Sequence, residues 1–134
     1  MEISVSNEQG KVAILQLAGH LDGQSYQDLI LKAQEVISDG TKNILLDMGE
    51  LTYISSAGLV ALHAISMLLR GEKSPDPEQG WSTLKSMDRT RDGGMQKNLK
   101  LLNPHPQVVS VLDMVGFTDF FAIFTDRQKA IDSF

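Results

Sequence analysis

The residues best suited to chemistry lie in one stretch, Asp47-Met48-Gly49-Glu50-Leu51-Thr52-Tyr53-Ile54-Ser55-Ser56-Ala57-Gly58-Leu59. Two adjacent hydroxyls stand where a turn ends and an apolar helix begins. A serine nucleophile needs a base within hydrogen-bond reach. His63 lies seven residues after Ser56 and shares its helix face, but two turns is about 10 Å of rise. The Gly-x-Ser-x-Gly elbow is missing, because Ile54 stands where its first glycine would be. No glycine-rich loop followed by lysine is present to cradle a nucleotide phosphate. His20, His63 and His105 offer no i, i+4 pair for a metal. The chain has no cysteine, which removes thiolate nucleophiles, Cys-ligated metals and disulfides and fits a reducing compartment. These patterns predict no enzyme, no cofactor and no metal. Spacing alone leaves Ser56 as a helix N-cap, a position serine favours, with Ser55 as a second capping or turn hydroxyl. Gly58 fits a close approach of backbone near the helix start. Asp47 suits a strand end whose carboxylate bonds the following turn.

The elements that must position these groups follow from periodicity. Ile3 to Val5 alternates, and Val12-Ala13-Ile14-Leu15-Gln16-Leu17 is a strand-forming run. The polar turn between them, containing Gly10, predicts a hairpin. Apolar residues at Tyr26, Leu29, Ile30, Ala33, Val36 and Ile37 predict an amphipathic helix capped by Asp22 or Ser25 and closed by Gly40. Asn43 to Met48 predicts a strand buried on both faces. The segment from Ser56 to Leu69 is apolar almost all round, so its helix must pack on more than one side. Leu99 to Leu102 predicts another strand, and Pro106 fits the first position of the helix carrying Val108, Val109, Leu112 and Val115. Phe120 to Phe124 predicts a last strand, and Asp126 caps a terminal helix through Ile131. Alternating strands and helices predict an α/β fold. Its central sheet is mostly parallel with an antiparallel edge, packed by about four helices.

The 134 residues suit a single domain, 1–134. Residues 71–98 break the pattern with four glycines, two prolines and ten charged residues, which predicts a long inserted loop. Trp81 with Leu84 and Met87 in that segment fits either a small anchoring cluster or a partner-binding turn. The net charge of −5 with no basic run argues against nucleic acid and against anionic membrane surfaces. No secretory signal pattern and no apolar stretch of about 20 residues is seen, so a cytoplasmic location is expected.

The stretch around Ser56 resembles the STAS domain family of anti-sigma factor antagonists. That family carries a strand Asp or Asn, a hydrophobic pair, then Asp/Ser-Ser-Ser/Ala-Gly-Leu at a helix start. Three further pieces are similar and in the right order. These are Gly19-His20-Leu21-Asp22, Pro106-Gln107-Val108, and Asp113-Met114-Val115-Gly116-Phe117 with Phe120 and Phe124. The resemblance covers residues 1–70 and 99–134 and implies the STAS fold. It also implies an anti-anti-sigma factor, whose partner is an anti-sigma factor that is a serine kinase. Binding would be switched by phosphorylation of Ser56, with Ser55 as the alternative acceptor, and Asp22, Ser55, Ser56 and Gly58 would form the partner-binding surface. A helix N-terminus tolerates a phosphate, which adds roughly −1.5 to −2 charges. A docking penalty of about 3 kcal/mol lowers affinity on the order of 100-fold. The family also holds non-phosphorylated scaffolds or ligand-sensing modules and the cytoplasmic STAS modules of anion transporters, and these remain alternatives. Ser55 stands where many members have Asp.

Overall fold

The computed structural model describes residues 1–8, 12–71 and 96–134. In these residues the order is β1 (Glu2–Glu8), β2 (Val12–Leu21), α1 (Tyr26–Ser38), β3 (Ile44–Ile54), α2 (Ser56–Leu69), β4 (Gln96–Leu102), α3 (Pro106–Met114), β5 (Phe121–Phe124) and α4 (Arg127–Asp132). The five strands form one sheet in chain order, β1-β2-β3-β4-β5. β1 pairs antiparallel with β2, from Glu2 opposite Ala18 to Glu8 opposite Val12. Each later pair is parallel. This is the α/β architecture the alternation predicts, antiparallel edge included.

Period-two alternation along the central strands decides which helix covers which face. Ala13, Leu15 and Leu17 of β2, Ile44, Leu46 and Met48 of β3, and Leu99 and Leu101 of β4 face one way. They bury against Leu29, Ile30 and Ala33 of α1, Leu59, Leu62 and Ile65 of α2, and Val108 and Leu112 of α3. The intervening residues Val12, Ile14, Leu45 and Leu102 bury against Ala130 and Ile131 of α4 on the other face. The three parallel crossovers run in chain order, and taking the favoured right hand at each puts α1, α2 and α3 on one side. β3 is sandwiched between the two layers, as its continuous apolar run requires.

Helix ends follow local chemistry. Gly40 turns the chain after α1 at φ +103°, a conformation that costs a side chain 1–2 kcal/mol or about that. Asp126 caps α4 by accepting from the Lys129 N–H at 3.1 Å. Pro106 opens α3 as expected. Near the base of α2, Phe117, Phe120 and Phe121 pack edge to face, with centroids 5.3 Å apart for Phe117–Phe121 and 4.8 Å for Phe120–Phe121.

Two element bounds differ from expectation. β3 does not end at Met48 and pass into a turn; it runs on to Ile54. Register shifts against β2 lie between Gln16/Ala18 and Gly19/His20, because β3 takes extra residues at both places. Such bulges kink a strand and re-aim its side chains, and they erase the alternation by which a strand is recognised. β4 begins at Gln96 rather than Leu99, since Gln96 is buried yet satisfied: its Nε2 donates to the Ser66 carbonyl at 3.0 Å. The hairpin turn at Gly10, the greater part of the 71–98 segment, and Trp81, Leu84 and Met87 lie outside the described residues.

Candidate functional site

The carboxyl ends of β2 and β3 and the N-terminus of α2 meet at one rim of the sheet, and the two serines lie there. β3 delivers Ile54 to the rim, buried, and the next residue starts the helix turn. Ser55, extended at φ −104° and ψ 178°, holds the N-cap position of α2, and Ser56 is the first helical residue. The expected cap is therefore displaced by one residue, from Ser56 to Ser55. Ser55 is pinned by its backbone: its N–H donates to the Leu21 carbonyl at 2.9 Å, and its carbonyl accepts from the Leu59 N–H at 3.2 Å. Its side chain makes no capping bond. The Ser55 Oγ is buried without a partner among the described residues.

Ser56 differs in every respect that matters for a modifying enzyme. It is exposed, on the first turn of a helix whose early N–H groups point outward. That end carries the positive pole of the helix dipole, which favours an added anion.

Gly58 seats the helix. A Cβ there would lie 2.6 Å from Ile54 Cγ1, 2.9 Å from Leu21 Cγ and 3.0 Å from the Leu21 carbonyl oxygen. The close approach anticipated for this glycine is present, between α2 and the ends of β2 and β3. Gly58 is buried, so it shapes the rim by letting α2 sit where it does rather than by presenting a side chain.

Asp22 is half-buried at the end of β2. Its Oδ1 accepts from the Gln24 N–H at 3.0 Å and lies 3.3 Å from the Ser25 hydroxyl. Ser25 is the N-cap residue of α1, yet its hydroxyl bonds backwards, donating to the His20 carbonyl at 2.8 Å and accepting from the Asp22 N–H at 3.0 Å. Neither side chain caps α1, contrary to expectation: the helix start has no side-chain cap bond, and the Asp22 backbone carbonyl accepts from the Ser25 and Tyr26 N–H groups instead. Together these bonds fix the turn that holds Asp22 at the rim. Asp47 bonds the chain two residues on, accepting from the Gly49 N–H at 3.0 Å, inside the first bulge of β3.

Sequence reasoning missed three contributors to this rim. His105 reaches across from the start of α3 and its Nε2 meets the Gly49 carbonyl at 2.7 Å. Thr52 donates its hydroxyl to the Gly19 carbonyl at 3.2 Å. Tyr53, half exposed, packs edge-on against His20 with ring centroids 5.7 Å apart. All three depend on the bulged end of β3, which no periodic pattern marks.

His63 sits within α2, 5% exposed, with its Nδ1 unpartnered among the described residues. Burial, helped by the nearby Arg70 charge, lowers its pKa to about 4, so it is neutral near pH 7. Among the described residues no three His, Asp or Glu side chains are grouped to hold a metal. No described helix is long and apolar enough to cross a membrane.

A five-stranded sheet of this topology, with paired serines opening a glycine-seated helix at the carboxyl rim, defines a STAS domain. The family model described as "Mlab, STAS domain" matches residues 4–75, more than half of the chain, and the chain belongs to that family. No curated protein is similar enough in sequence to match. Solved structures are similar over nearly the full length. An anti-sigma factor antagonist from Mycobacterium paratuberculosis aligns over 98% of this chain and 92% of its own, with TM-score 0.69 and 14% identity. The anti-sigma factor antagonist SpoIIAA in its unphosphorylated form aligns over 98% of this chain and 94% of its own, with TM-score 0.60 and 16% identity. The Bacillus cell fate determinant SpoIIAA in the phosphorylated form aligns over 98% and 97%, with TM-score 0.57 and 17% identity. At such identities the likeness establishes the fold.

Proposed function

We propose that this protein is an anti-anti-sigma regulator that acts by binding, not catalysis. Its partner is an anti-sigma factor that is also a serine kinase, and docking is switched by phosphorylation of Ser56. The observation that carries the proposal is the contrast between the two serines. Ser56 is exposed at the positive end of α2, whereas the Ser55 hydroxyl is buried beside it. A kinase can reach the first without moving the helix, and must open the N-cap to reach the second. The structural neighbours support the reading: their names are those of anti-sigma factor antagonists, and one was solved in a phosphorylated form.

The docking face would comprise Asp22, Ser55 and Ser56, with Gly58 beneath. Its components are tied to strand ends by short hydrogen bonds, so a phosphate would change the face without refolding the domain. A group of about −1.5 to −2 charges must be stripped of water to enter an interface, which raises the cost of docking. The use of ATP by the kinase would place this exchange in the cytoplasm.

Incubation with each anti-sigma serine kinase of the source organism and ATP, followed by phosphosite mapping, tests the proposal. Phosphate on Ser56, lost in Ser56→Ala and retained in Ser55→Ala, is the expected result. The absence of phosphate on both serines with every cognate kinase would overturn it.

A further inference from the structure

The rim carries a second feature that a phosphate switch does not require. The shift in register at Gly19/His20 places Tyr53 opposite His20, and their rings pack edge to face at 72° and 5.7 Å. Tyr53 is 50% exposed. The residue before it is tied to neighbouring elements. The Thr52 hydroxyl bonds the Gly19 carbonyl, and the Gln107 amide approaches the Thr52 carbonyl at 3.5 Å. Bulges that re-aim one side chain concentrate beside functional sites. A ring fixed on a strand end loses little entropy on binding, and tyrosine is enriched among the residues that dominate interfaces.

The charges around the ring point to what it would meet. No Lys or Arg occurs in residues 12–31, 43–69 or 101–126, the three stretches that supply the strand ends and loops of this rim. Carboxylates do occur there: Asp22 is half-buried, and Asp28 and Glu50 are exposed. The cations Lys42, Arg70 and Lys97 stand before β3, after α2 and at the start of β4, at the opposite pole of the sheet. An aromatic face with acidic neighbours attracts an ammonium or guanidinium group; among the described residues no Lys or Arg stands at this rim, and Met1, with the chain's amino group, lies beside Gly19.

We propose that the Tyr53–His20 step anchors a basic segment of a protein partner, with an Arg or Lys side chain over the Tyr53 ring and Asp22 and Glu50 as its counter-charges. This rests on the docking face proposed above and names the chemistry of what docks there. It has a consequence for the switch. A partner that is basic at this rim is not repelled by a phosphate through charge alone. Phosphorylated Ser56 would then oppose docking through its size and its hydration.

The test uses the full chain in its source cells, with a photo-crosslinking residue at Gln107, beside Tyr53, and a control at Lys42 at the far pole. The expected adduct forms from position 107 and not from 42, and mass spectrometry identifies it. With that protein purified, Tyr53→Ala should weaken binding about tenfold. Tyr53→Phe should bind as the native chain does, and affinity should fall as NaCl rises. Circular dichroism of Tyr53→Ala and the retained affinity of Tyr53→Phe separate loss of contact from loss of fold. A serine kinase as the adduct supports both proposals. A different basic protein with the same dependence on Tyr53 and salt supports this one and overturns the kinase reading. No adduct above the control, an adduct with nucleic acid or a second copy of the chain, or binding indifferent to Tyr53→Ala would overturn it.

Discussion

A serine at a helix N-cap ordinarily accepts a hydrogen bond from an N–H two or three residues on, and losing it costs about 1 kcal/mol. Ser55 occupies that position with no such bond, its hydroxyl buried and without a partner among the described residues. A buried polar atom in that state carries a desolvation cost of about 1–3 kcal/mol with nothing to offset it. Ser55→Ala should therefore leave stability unchanged or raise it by up to about 1 kcal/mol, against the usual trend for caps. Urea unfolding measures this directly. A loss of 1 kcal/mol or more, roughly the normal cap value, would show that the hydroxyl has a partner in solution. The same burial distinguishes the Ser55 hydroxyl from exposed Ser56 in accessibility, which the bare Ser-Ser pair could not do. Burial belongs to the register of β3 against α2, not to either residue.

At the scale of elements, the site depends on how closely α2 lies on the ends of β2 and β3. Gly58 sets that distance, and the nearest obstacles to a methyl group include the Leu21 carbonyl, which already accepts the Ser55 N–H. A side chain there must push the helix and disturb that bond together. Gly58→Ala should cost about 2 kcal/mol despite alanine's better helix propensity. It should also shift the amide resonances of Leu21 and Ser55 in an NMR spectrum. Unchanged stability and unchanged shifts would mean that the helix relaxes freely. This contact was legible in the sequence because a glycine after two serines at the head of an apolar helix has few other uses. The four helices, the parallel order and the antiparallel edge were legible for a similar reason: apolar spacing records burial. The last six residues of β3 were not, because bulges interrupt alternation and Gly49, Glu50 and Thr52 resemble a turn. Nor was the start of β4, where Gln96-Lys97-Asn98 has no apolar residue and Gln96 gains its burial from a carbonyl of α2 distant in sequence. The His105 bridge to Gly49 and the Tyr53–His20 contact were hidden likewise, since each joins residues that only the folded sheet brings together.

For the whole molecule, the two ends of the sheet present different groups. Ser56, Asp22 and Tyr53 lie at the carboxyl rim, while Gly71 and Gln96, where the described chain leaves and resumes, follow the far end of α2 and open β4. The helix spanning these poles carries His63 in its interior. In the folded state its pKa is lowered from 6.5 to about 4, first by desolvation and then by Arg70. The unfolded chain takes up a proton near pH 6.5 that the folded chain refuses until about pH 4. Stability from this group is complete above pH 6.5 and is lost progressively as pH falls through that window, by about 3 kcal/mol in all. The native curve alone does not isolate the histidine. His63→Leu does, because it removes the titrating ring and keeps an apolar side chain in the same space. The difference in unfolding free energy between the two proteins should be flat above pH 7, tilt in favour of the variant between pH 6.5 and 4, and level off below. Parallel curves across that range would mean that His63 is protonated or solvated in the folded state.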